Sequence, residues 1–312
     1  MNGWNTRDIP DQRGRIAVIT GATGGLGYET ALALAGAGAE VVLTGRNEGK
    51  GKAAIASILN RHAGANLRYQ HLDLGSLASV AEFAPRFAAQ HGRLDLLINN
   101  AGVMAPPLRQ TTSDGFELQF GTNYLAHFAL TAHLLPLLRK AGAARVVNLS
   151  SIAHRVRGAI HFDDLQFARR YAAWPAYAQS KLAMLMFALE LQRRSDALGW
   201  KLSSIAAHPG YARTDLIVNG PGLSGGAWQF NRWLIQPFFS QRAADGALPS
   251  LFAATAPQAE NGGYYGPAFL ELKGRVTRAG ISRRAQDSAV AARLWQVSEQ
   301  LSGVQWPQGV SL

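Results

Sequence analysis

Short apolar runs rich in β-branched residues alternate along the chain with longer segments whose apolar residues recur at helical spacing. The apolar runs predict strands at residues 16–20, 41–44, 67–72, 94–99, 144–149 and 201–207. The longer segments predict helices at residues 27–36, 50–61, 77–90, 116–140 and 177–198. Because the strands are apolar throughout, helices are expected to cover both faces of the sheet. The alternation therefore predicts an α/β fold of the Rossmann type, a doubly wound parallel sheet with helices on both faces.

The pattern changes between about residues 211 and 246, where glycine pairs and bulky apolar residues replace the alternation. The bulky residues are Trp228, Phe230, Trp233, Phe238 and Phe239. We interpret this stretch as a long excursion near the functional site rather than a domain boundary, so residues 1–312 are expected to form a single domain. Beyond it, residues 262–267 predict a turn that leads into a final strand, and residues 288–301 predict a C-terminal helix.

Composition narrows the classes of function without selecting one. The chain has 312 residues, 47% of them hydrophobic, a mean hydropathy of -0.04 and no cysteine. These values are typical of a globular protein in a reducing compartment, and the lack of cysteine excludes disulfides, thiolate catalysis and cysteine-ligated zinc. The eight histidines lack the spacing of metal ligands, so no metal is expected. Without a recognisable signal peptide or apolar membrane span, the expected location is the cytoplasm.

The formal charge of +11 and the pI of about 10.3 raise the question of a nucleic-acid partner. The basic pairs at 139–140, 169–170, 193–194 and 283–284 are scattered, and no aromatic residues are interleaved with them. We interpret the charge as a solvated surface and expect no nucleic-acid partner. Part of it is available to a phosphorylated cofactor.

A glycine-rich turn follows the first predicted strand and precedes the first predicted helix, with the sequence Thr20-Gly21-Ala22-Thr23-Gly24-Gly25-Leu26-Gly27. Glycine permits a tight turn and lets the backbone approach a phosphate closely. The N-terminus of the following helix adds aligned N–H groups and positive potential. Glycine clusters also occur in plain turns, but the order of strand, turn and helix favours a dinucleotide site.

The end of the second predicted strand indicates which dinucleotide is bound. An acidic residue there would accept hydrogen bonds from the ribose of NAD, but the strand ends with Thr44-Gly45-Arg46-Asn47 and has no carboxylate. Arg46 offers a planar, charged fork that suits a 2′-phosphate, and Lys50 or Lys52 could assist it. The alternative is a solvated loop arginine. We therefore expect NADP(H) in preference to NAD(H).

Acid-base chemistry is indicated by Tyr177 and Lys181, which lie four residues apart on a predicted helix and so share a face. The hydroxyl of tyrosine has a pKa near 10, and a neighbouring cation favours the phenolate and lowers that pKa. Such pairs also arise by chance. The fifth predicted strand, however, ends with Ser150 and Ser151, and a serine at this edge of a parallel sheet can hydrogen-bond a substrate carbonyl.

Taken together, these motifs resemble the short-chain dehydrogenase/reductase family, in its single-domain branch, over residues 14–266. The resemblance implies four catalytic residues, Asn123, Ser151, Tyr177 and Lys181. It also implies a cofactor site made of Gly21, Thr23, Gly24, Gly25, Leu26, Gly27, Arg46, Asp73, Leu74, Asn100, Ala101, Gly102, Tyr177, Lys181, Pro209, Gly210 and Thr214. Asp73 matches the residue beside the adenine, and the loop His208-Pro209-Gly210 matches the one that contacts the nicotinamide amide.

Two features depart from the short branch of the family. Gly24 also gives the turn the glycine spacing of the longer branch, which contains epimerases and dehydratases. The stretch from Ser151 to Tyr177 is about twice the usual length, and its insertion contains His161 and Trp174. That insertion is most similar to the retinol-dehydrogenase-like subgroup, and it leaves Ser150 as the alternative to Ser151.

The resemblance implies reversible hydride transfer between NADP(H) and a carbonyl or alcohol, with the proton donated by Tyr177 while Ser151 holds the oxygen. Lys181 would tune Tyr177 and hold the ribose, and Asn123 would position a water. The aromatic excursion favours a bulky apolar small-molecule substrate. The alternatives are a non-catalytic NADP(H)-binding regulator and an epimerase or dehydratase that recycles its cofactor. In the family the helices at 116–140 and 177–198 pair across subunits, which implies a homodimer or homotetramer.

Overall fold

A computed structural model describes residues 3–212 and 241–307 of the chain. The strands are β1 (Ile16–Ile19), β2 (Glu40–Gly45), β3 (Leu67–His71), β4 (Leu96–Asn99), β5 (Ala144–Leu149), β6 (Leu202–Ala207), β7 (Tyr264–Phe269) and β8 (Lys273–Arg278). The α-helices are α1 (Gly25–Gly36), α2 (Glu48–Leu59), α3 (Leu77–Ala88), α4 (Ala126–Lys140), α5 (Ala173–Leu198), α6 (Ala243–Thr255) and α7 (Ser288–Ser302). Single turns of 3-10 helix span Thr6–Asp8, Ile152–His154 and Arg284–Gln286, and a π-helical turn spans Phe120–Leu125.

The strands form one eight-stranded sheet in the order β3-β2-β1-β4-β5-β6-β7-β8. All neighbours are parallel except β7 and β8. The predicted doubly wound parallel sheet is therefore confirmed, with one antiparallel edge strand added. The strand order reverses between β1 and β4, and ligands of such sheets bind in the crevice outside the carboxyl ends at this switch point.

Helices cover both faces of the sheet, which explains why its central strands β1, β4 and β5 are largely apolar without alternation. Val18, Val42 and Val146 belong to a core with α3, α4, α5 and α7. Their neighbours Ile19, Val41 and Val147 belong to a second core with α1, α2 and α6. Both faces of each central strand are thus removed from water.

Several predicted boundaries are corrected. Residues 264–267 form the start of β7 instead of a turn, and β8 was not predicted because its sequence is mostly polar and exposed at the sheet edge. The helix predicted at 116–140 is regular only from Ala126, after the π-helical turn. Residues 243–246, assigned to the excursion, begin α6. The rest of the excursion from 213 to 240, including its five bulky residues, lies outside the described residues.

The C-terminal helix α7 covers the outer faces of α4 and α5. Trp295 of α7 packs edge-on against Phe128 of α4, with ring centroids 5.0 Å apart, and tilted against Phe187 of α5, at 5.8 Å. Trp306, just beyond α7, contacts both phenylalanine rings as well. Ser298 is hydrogen-bonded to Tyr124, the residue after Asn123, at 2.7 Å. The two helices implied to pair across subunits are therefore packed against a helix of their own chain.

Candidate active site

The glycine-rich turn and the loop after β4 are held together as one unit. The hydroxyl of Thr20 accepts the backbone N–H groups of Asn100 (2.8 Å) and Ala101 (2.9 Å), and the side-chain amide of Asn100 donates to the Thr20 carbonyl (2.8 Å). A β-carbon at Gly27 would lie 2.5 Å from the Gly21 carbonyl and 2.6 Å from the Asn100 amide. Since both neighbours are fixed by these hydrogen bonds, only glycine fits at position 27, and the turn is as tight as a phosphate cradle requires.

The N-terminus of α1 is available to an anion. Its first residue is Gly25, its N-cap is Gly24, no side chain caps it, and no acidic residue lies in its first turn. A helix end of this kind presents backbone N–H groups and positive potential to a phosphate. The predicted residues Gly21, Thr23 and Leu26 lie along the same turn, so the residues present fit the pyrophosphate of a dinucleotide.

Arg46 lies close to this turn. The Thr44 carbonyl accepts the Ala22 N–H at 3.0 Å, and a β-carbon at Gly45 would lie 3.1 Å from the Thr23 methyl group. Arg46 follows directly and is exposed to solvent. The next residue, Asn47, caps α2 by accepting the Lys50 N–H, and Glu48 is paired with Lys52. No carboxylate follows β2 before the start of α2, which suits a phosphate better than a ribose hydroxyl.

Asp73 and Leu74 follow β3, the strand next to β2. The Asp73 carboxylate accepts the Gly75 N–H at 2.8 Å, and the Asp73 N–H donates to the Ser79 hydroxyl. Leu74 is buried. Both residues therefore lie at the carboxyl edge of the sheet on the same side of the switch point as Arg46.

Ser150 and Ser151 follow directly after β5, and their hydroxyls have different partners. The Ser150 hydroxyl is buried and donates to the backbone carbonyl of Lys181 at 2.7 Å. The Ser151 hydroxyl caps the 3-10 turn through the Ala153 N–H (3.2 Å) and interacts with the Tyr177 phenol. Of the two serines, Ser151 is therefore the one whose hydroxyl meets the phenol.

Burial controls the acidity of the Tyr177 and Lys181 pair. Burial in the cleft raises the pKa of the Tyr177 phenol to about 12, against the smaller opposite effect of the Ser151 hydroxyl. Burial also lowers the pKa of the Lys181 ammonium to about 8. Lys181 lies 5.8 Å from the centre of the Tyr177 ring and donates to the Leu149 carbonyl at 3.0 Å. Burial and Ser151 set the pKa of Tyr177 here, so the expected effect of Lys181 on that pKa stays a prediction.

Asn123 lies in the π-helical turn before α4, an irregularity that is frequent at functional sites. Its side-chain oxygen accepts the Val103 N–H (2.7 Å), and its amide donates to the Val103 carbonyl and the Ser180 hydroxyl, both at 2.9 Å. The side chain therefore braces the loop after β4 against α5. Both amide hydrogens of this side chain have partners, so the predicted contact with a water would use an oxygen of Asn123 as the acceptor.

His127 is a buried residue of this site that sequence reasoning missed. One ring nitrogen lies 2.9 Å from the Asn123 carbonyl and the other 2.9 Å from the Thr20 hydroxyl. Burial lowers the pKa of this imidazole to about 4, so it is neutral and links the π-helical turn to the glycine-rich turn. A histidine among the apolar residues at the start of α4, four positions after Asn123, was the available signal.

The cleft between these elements has a volume of about 550 Å³. Eight of the predicted residues line it, namely Leu26, Asn100, Gly102, Ser151, Tyr177, Lys181, Pro209 and Gly210. We call the side formed by Leu26, Asn100 and Gly102 the glycine wall. The opposite side, the insertion wall, consists of Ile152, Val156, Arg157 and Trp174 from the long connection before Tyr177 and the first turn of α5. The Trp174 ring meets Tyr177 edge-on at 5.8 Å.

The insertion wall was not predicted, since the apolar lining was expected from the excursion that begins near residue 211. Of that region the structure describes Tyr211 and Ala212, which do line the cleft. The predicted cofactor contact Thr214 lies outside the described residues. Within residues 3–212 and 241–307 no cluster of side chains suited to a metal is found, and no helix is both long and apolar enough to cross a membrane.

Several known proteins are similar to this chain in sequence and in structure. Residues 15–220 match the sequence model of the family described as short chain dehydrogenase. Retinol dehydrogenase 12 of Mus musculus is 42% identical over 293 residues, which cover 94% of this chain and 88% of that protein. An uncharacterized protein from Mycobacterium paratuberculosis has a crystal structure that matches with a TM-score of 0.81 and 40% identity, covering 98% of this chain and 100% of the other. A short chain dehydrogenase from Shigella flexneri, solved with NADP, matches with a TM-score of 0.62 and 27% identity, covering 81% and 97%.

Proposed function

Because the chain belongs to the short-chain dehydrogenase family, we propose that it is an NADP(H)-dependent oxidoreductase that interconverts a carbonyl and an alcohol. The observation that carries the proposal is the meeting of Ser151, Tyr177 and Lys181 in one cleft with Pro209 and Gly210. These residues come from β5, α5 and the loop after β6, and the strand ends bring them together at the edge where ligands of this fold bind.

The cofactor site fits a phosphorylated dinucleotide. The tight turn at Gly21 to Gly27 and the uncapped start of α1 would hold the pyrophosphate, and Arg46 would hold the 2′-phosphate. Lys181 would bind the ribose next to the nicotinamide. When bound, the nicotinamide supplies or accepts the hydride. The Shigella flexneri relative was solved with NADP, which supports the preference for NADP(H) over NAD(H) proposed from Arg46.

In the direction of reduction, the chain has to hold a carbonyl oxygen and give it a proton. Ser151 donates its hydroxyl hydrogen to the oxygen and orients it. Tyr177 transfers its phenolic proton to the same oxygen, and because burial raises the pKa of this phenol to about 12, it is in the protonated form that the transfer needs. Lys181 lies beside the ring and stabilises the phenolate that remains.

The walls of the cleft favour an apolar substrate. Val156 and Trp174 present apolar surface, and Leu26, Val103 and Met104 also line the cleft. Pockets of this kind bind the body of a ligand by burial and orient it with few polar groups. The relative named retinol dehydrogenase 12 supports a bulky apolar alcohol or aldehyde as the substrate class.

We further propose that residues 1–312 form one domain around the single sheet. A homodimer or homotetramer and a cytoplasmic location stay predictions. Because α7 packs on α4 and α5 within the same chain, subunit pairing through the faces of those helices that α7 covers would require α7 to move.

The decisive experiment follows the absorbance of NADPH with a panel of aldehydes and ketones, from small aliphatic to bulky aromatic. We expect turnover on bulky apolar members, with NADPH used better than NADH. Tyr177→Phe should lower kcat by about a thousandfold and leave NADPH binding intact, because it removes only the proton donor. Tyr171→Phe is the matched control, since Tyr171 hydrogen-bonds the Pro106 carbonyl and does not line the cleft.

Near-normal turnover in Tyr177→Phe would refute the assigned role. Tight NADPH binding without turnover on any member would favour the non-catalytic regulator. A tightly bound cofactor that co-purifies, with no net consumption of NADPH, would favour the epimerase or dehydratase.

A further inference from the structure

The hairpin that joins β7 to β8 is strained at its tip. Leu270 and Glu271 have φ values of 49° and 58°, in the left-handed region that residues with a β-carbon rarely adopt. A hairpin turn whose two central residues have positive φ normally carries asparagine or glycine at those two positions. Strain of this kind persists where surrounding contacts enforce it, and it is often found at functional sites. The contacts of Glu271 show what enforces it here.

The Glu271 carboxylate joins two separate segments. One oxygen lies 3.0 Å from the Arg155 guanidinium and accepts the Gly280 N–H at 3.1 Å. The other oxygen lies 3.5 Å from a ring nitrogen of His208. The Glu271 side chain is 20% exposed, so this carboxylate is largely withdrawn from water. These interactions lower the pKa of Glu271 to about 2, and it is ionised at neutral pH.

His208 connects Glu271 to the Pro209–Gly210 loop beside the cleft. Its Nδ1 atom accepts the Gly210 N–H at 3.2 Å, which leaves the hydrogen of the neutral ring on Nε2, the atom that faces Glu271. The imidazole is fully buried, and a β-carbon at Gly266 would collide with it. The Tyr264 ring packs against it at 5.2 Å. His208 therefore has little freedom to move, and Gly210 is held through it.

Arg155 makes the corresponding connection to the segment after Ser151. The 3-10 turn Ile152–His154 begins at Ser151 and ends with Arg155 as its C-cap. The Ser151 carbonyl accepts the His154 N–H at 3.1 Å and lies 2.6 Å from the His154 ring. Arg155 is thus tied by a single turn of backbone to the serine that meets Tyr177.

We propose that Glu271 is a positioning residue, whose carboxylate fixes the spacing between the Pro209–Gly210 loop and the Ser151 turn and thereby shapes the nicotinamide end of the cofactor site. The inference rests on the proposed NADP(H) function. It assigns to the C-terminal hairpin a part in binding the reactive half of the cofactor, although no hairpin residue between Tyr264 and Arg278 lines the cleft among the described residues.

The test compares two ligands in direct binding by calorimetry. NADPH carries the nicotinamide, whereas 2′-phosphoadenosine diphosphoribose lacks it and keeps the rest. Glu271→Gln preserves the size of the side chain and removes its charge. We expect it to weaken NADPH binding by about tenfold, the effect of losing hydrogen bonds to a charged group, and to leave the nicotinamide-free ligand within twofold.

The matched control is Glu260→Gln. Glu260 pairs with Arg278 of β8 on the exposed side of the same hairpin. Glu260→Gln should leave the binding of both ligands unchanged. A double variant, Glu271→Gln with Arg155→Gln, should bind NADPH no more weakly than Glu271→Gln alone, because both changes break one connection.

The proposal is overturned if Glu271→Gln binds NADPH as the wild type does. It is also overturned if the variant binds both ligands more weakly by the same factor, since an equal loss would reveal a general loss of structure. If the wild type turns over no carbonyl but shows the expected difference in binding, the proposed reaction fails and the role of Glu271 stands. If the wild type binds neither ligand, the cofactor proposal fails and this inference fails with it.

Discussion

The two walls of the cleft are held in place in different ways. The glycine wall is made of the start of α1 and the short loop after β4, and the turn before α1 is hydrogen-bonded to that loop through Thr20 and Asn100. The insertion wall comes from a long connection after β5, where Val156 is 67% exposed and Trp174 is 42% exposed. One wall is fixed by backbone geometry, and the other presents side chains to solvent.

This difference has consequences for substitution. A methyl group added at Gly27 meets backbone and a fixed amide, so the glycine wall cannot change without disturbing the fold around it. Because the Trp174 side chain is partly exposed, solvent fills the space when it is shortened. We therefore expect changes on the glycine wall to alter cofactor binding together with stability, and changes on the insertion wall to alter substrate choice alone.

The largest effect is expected at Lys181, where the two walls meet and a charge is buried. Burial lowers the pKa of this ammonium from 10.5 to about 8, so at pH 7 it is charged in both states and burying it costs the folded state roughly 3 kcal/mol. Lys181→Met should lose turnover and unfold at a higher temperature than the wild type at pH 7.

The difference in stability between Lys181→Met and the wild type should depend on pH. Between pH 8 and about 10.5 the unfolded wild type holds a proton that the folded state has released, so the stability of the wild type rises with pH. The advantage of Lys181→Met should therefore shrink over that interval, as followed by urea unfolding. Lys50→Met removes an exposed lysine and should show no such trend. An advantage that stays constant from pH 7 to pH 10.5 would contradict the buried charge.

A smaller effect is expected at Arg46, which follows β2 and lies close to the glycine-rich turn. Its guanidinium is exposed, and no carboxylate at the end of β2 competes with it for a phosphate. Arg46→Ala should weaken NADPH binding by about 2 kcal/mol, or roughly thirtyfold, and leave NADH binding unchanged. Arg61→Ala, at the other end of α2, is the matched control. Equal loss for both cofactors, or no loss for either, would rule out 2′-phosphate recognition by Arg46.

The contrast between the two walls also explains which parts of the fold and of the candidate site could be predicted from the sequence. Six parallel strands and the turn at Gly21 to Gly27 were predictable, because burial on both faces imposes apolar runs and a tight turn imposes glycine. The helix that places Tyr177 and Lys181 on one face was predictable from its spacing, whereas their roles were inferred from the serines after the fifth strand and from the family resemblance. All of these signals are local in the chain.

What could not be predicted depends on contacts between distant segments. The strand β8 is mostly polar at the sheet edge, so its sequence carries no apolar pattern. The raised pKa of Tyr177 depends on burial, which spacing does not reveal. The insertion wall depends on how residues 152–174 fold back over the cleft, and no motif encodes that path. The contacts of Glu271 with Arg155 and His208 join residues far apart in the sequence.

The smallest effect is expected on the insertion wall itself, at Trp174. Its ring contributes apolar surface to the cleft and meets Tyr177 edge-on at 5.8 Å. Trp174→Ala should raise KM for bulky apolar aldehydes about fivefold, near 1 kcal/mol, and leave KM for small aldehydes unchanged, because only a large ligand reaches the ring.

Two variants separate the possible causes of such a change. Trp174→Phe keeps an aromatic ring beside Tyr177 and should restore most of the affinity, whereas Phe269→Ala removes an exposed aromatic residue outside the cleft and should change nothing. If Trp174→Ala lowers kcat for small and bulky aldehydes alike, Trp174 orients Tyr177 instead of selecting the substrate. The insertion wall would then belong to the catalytic machinery, and the distinction between the two walls would no longer hold.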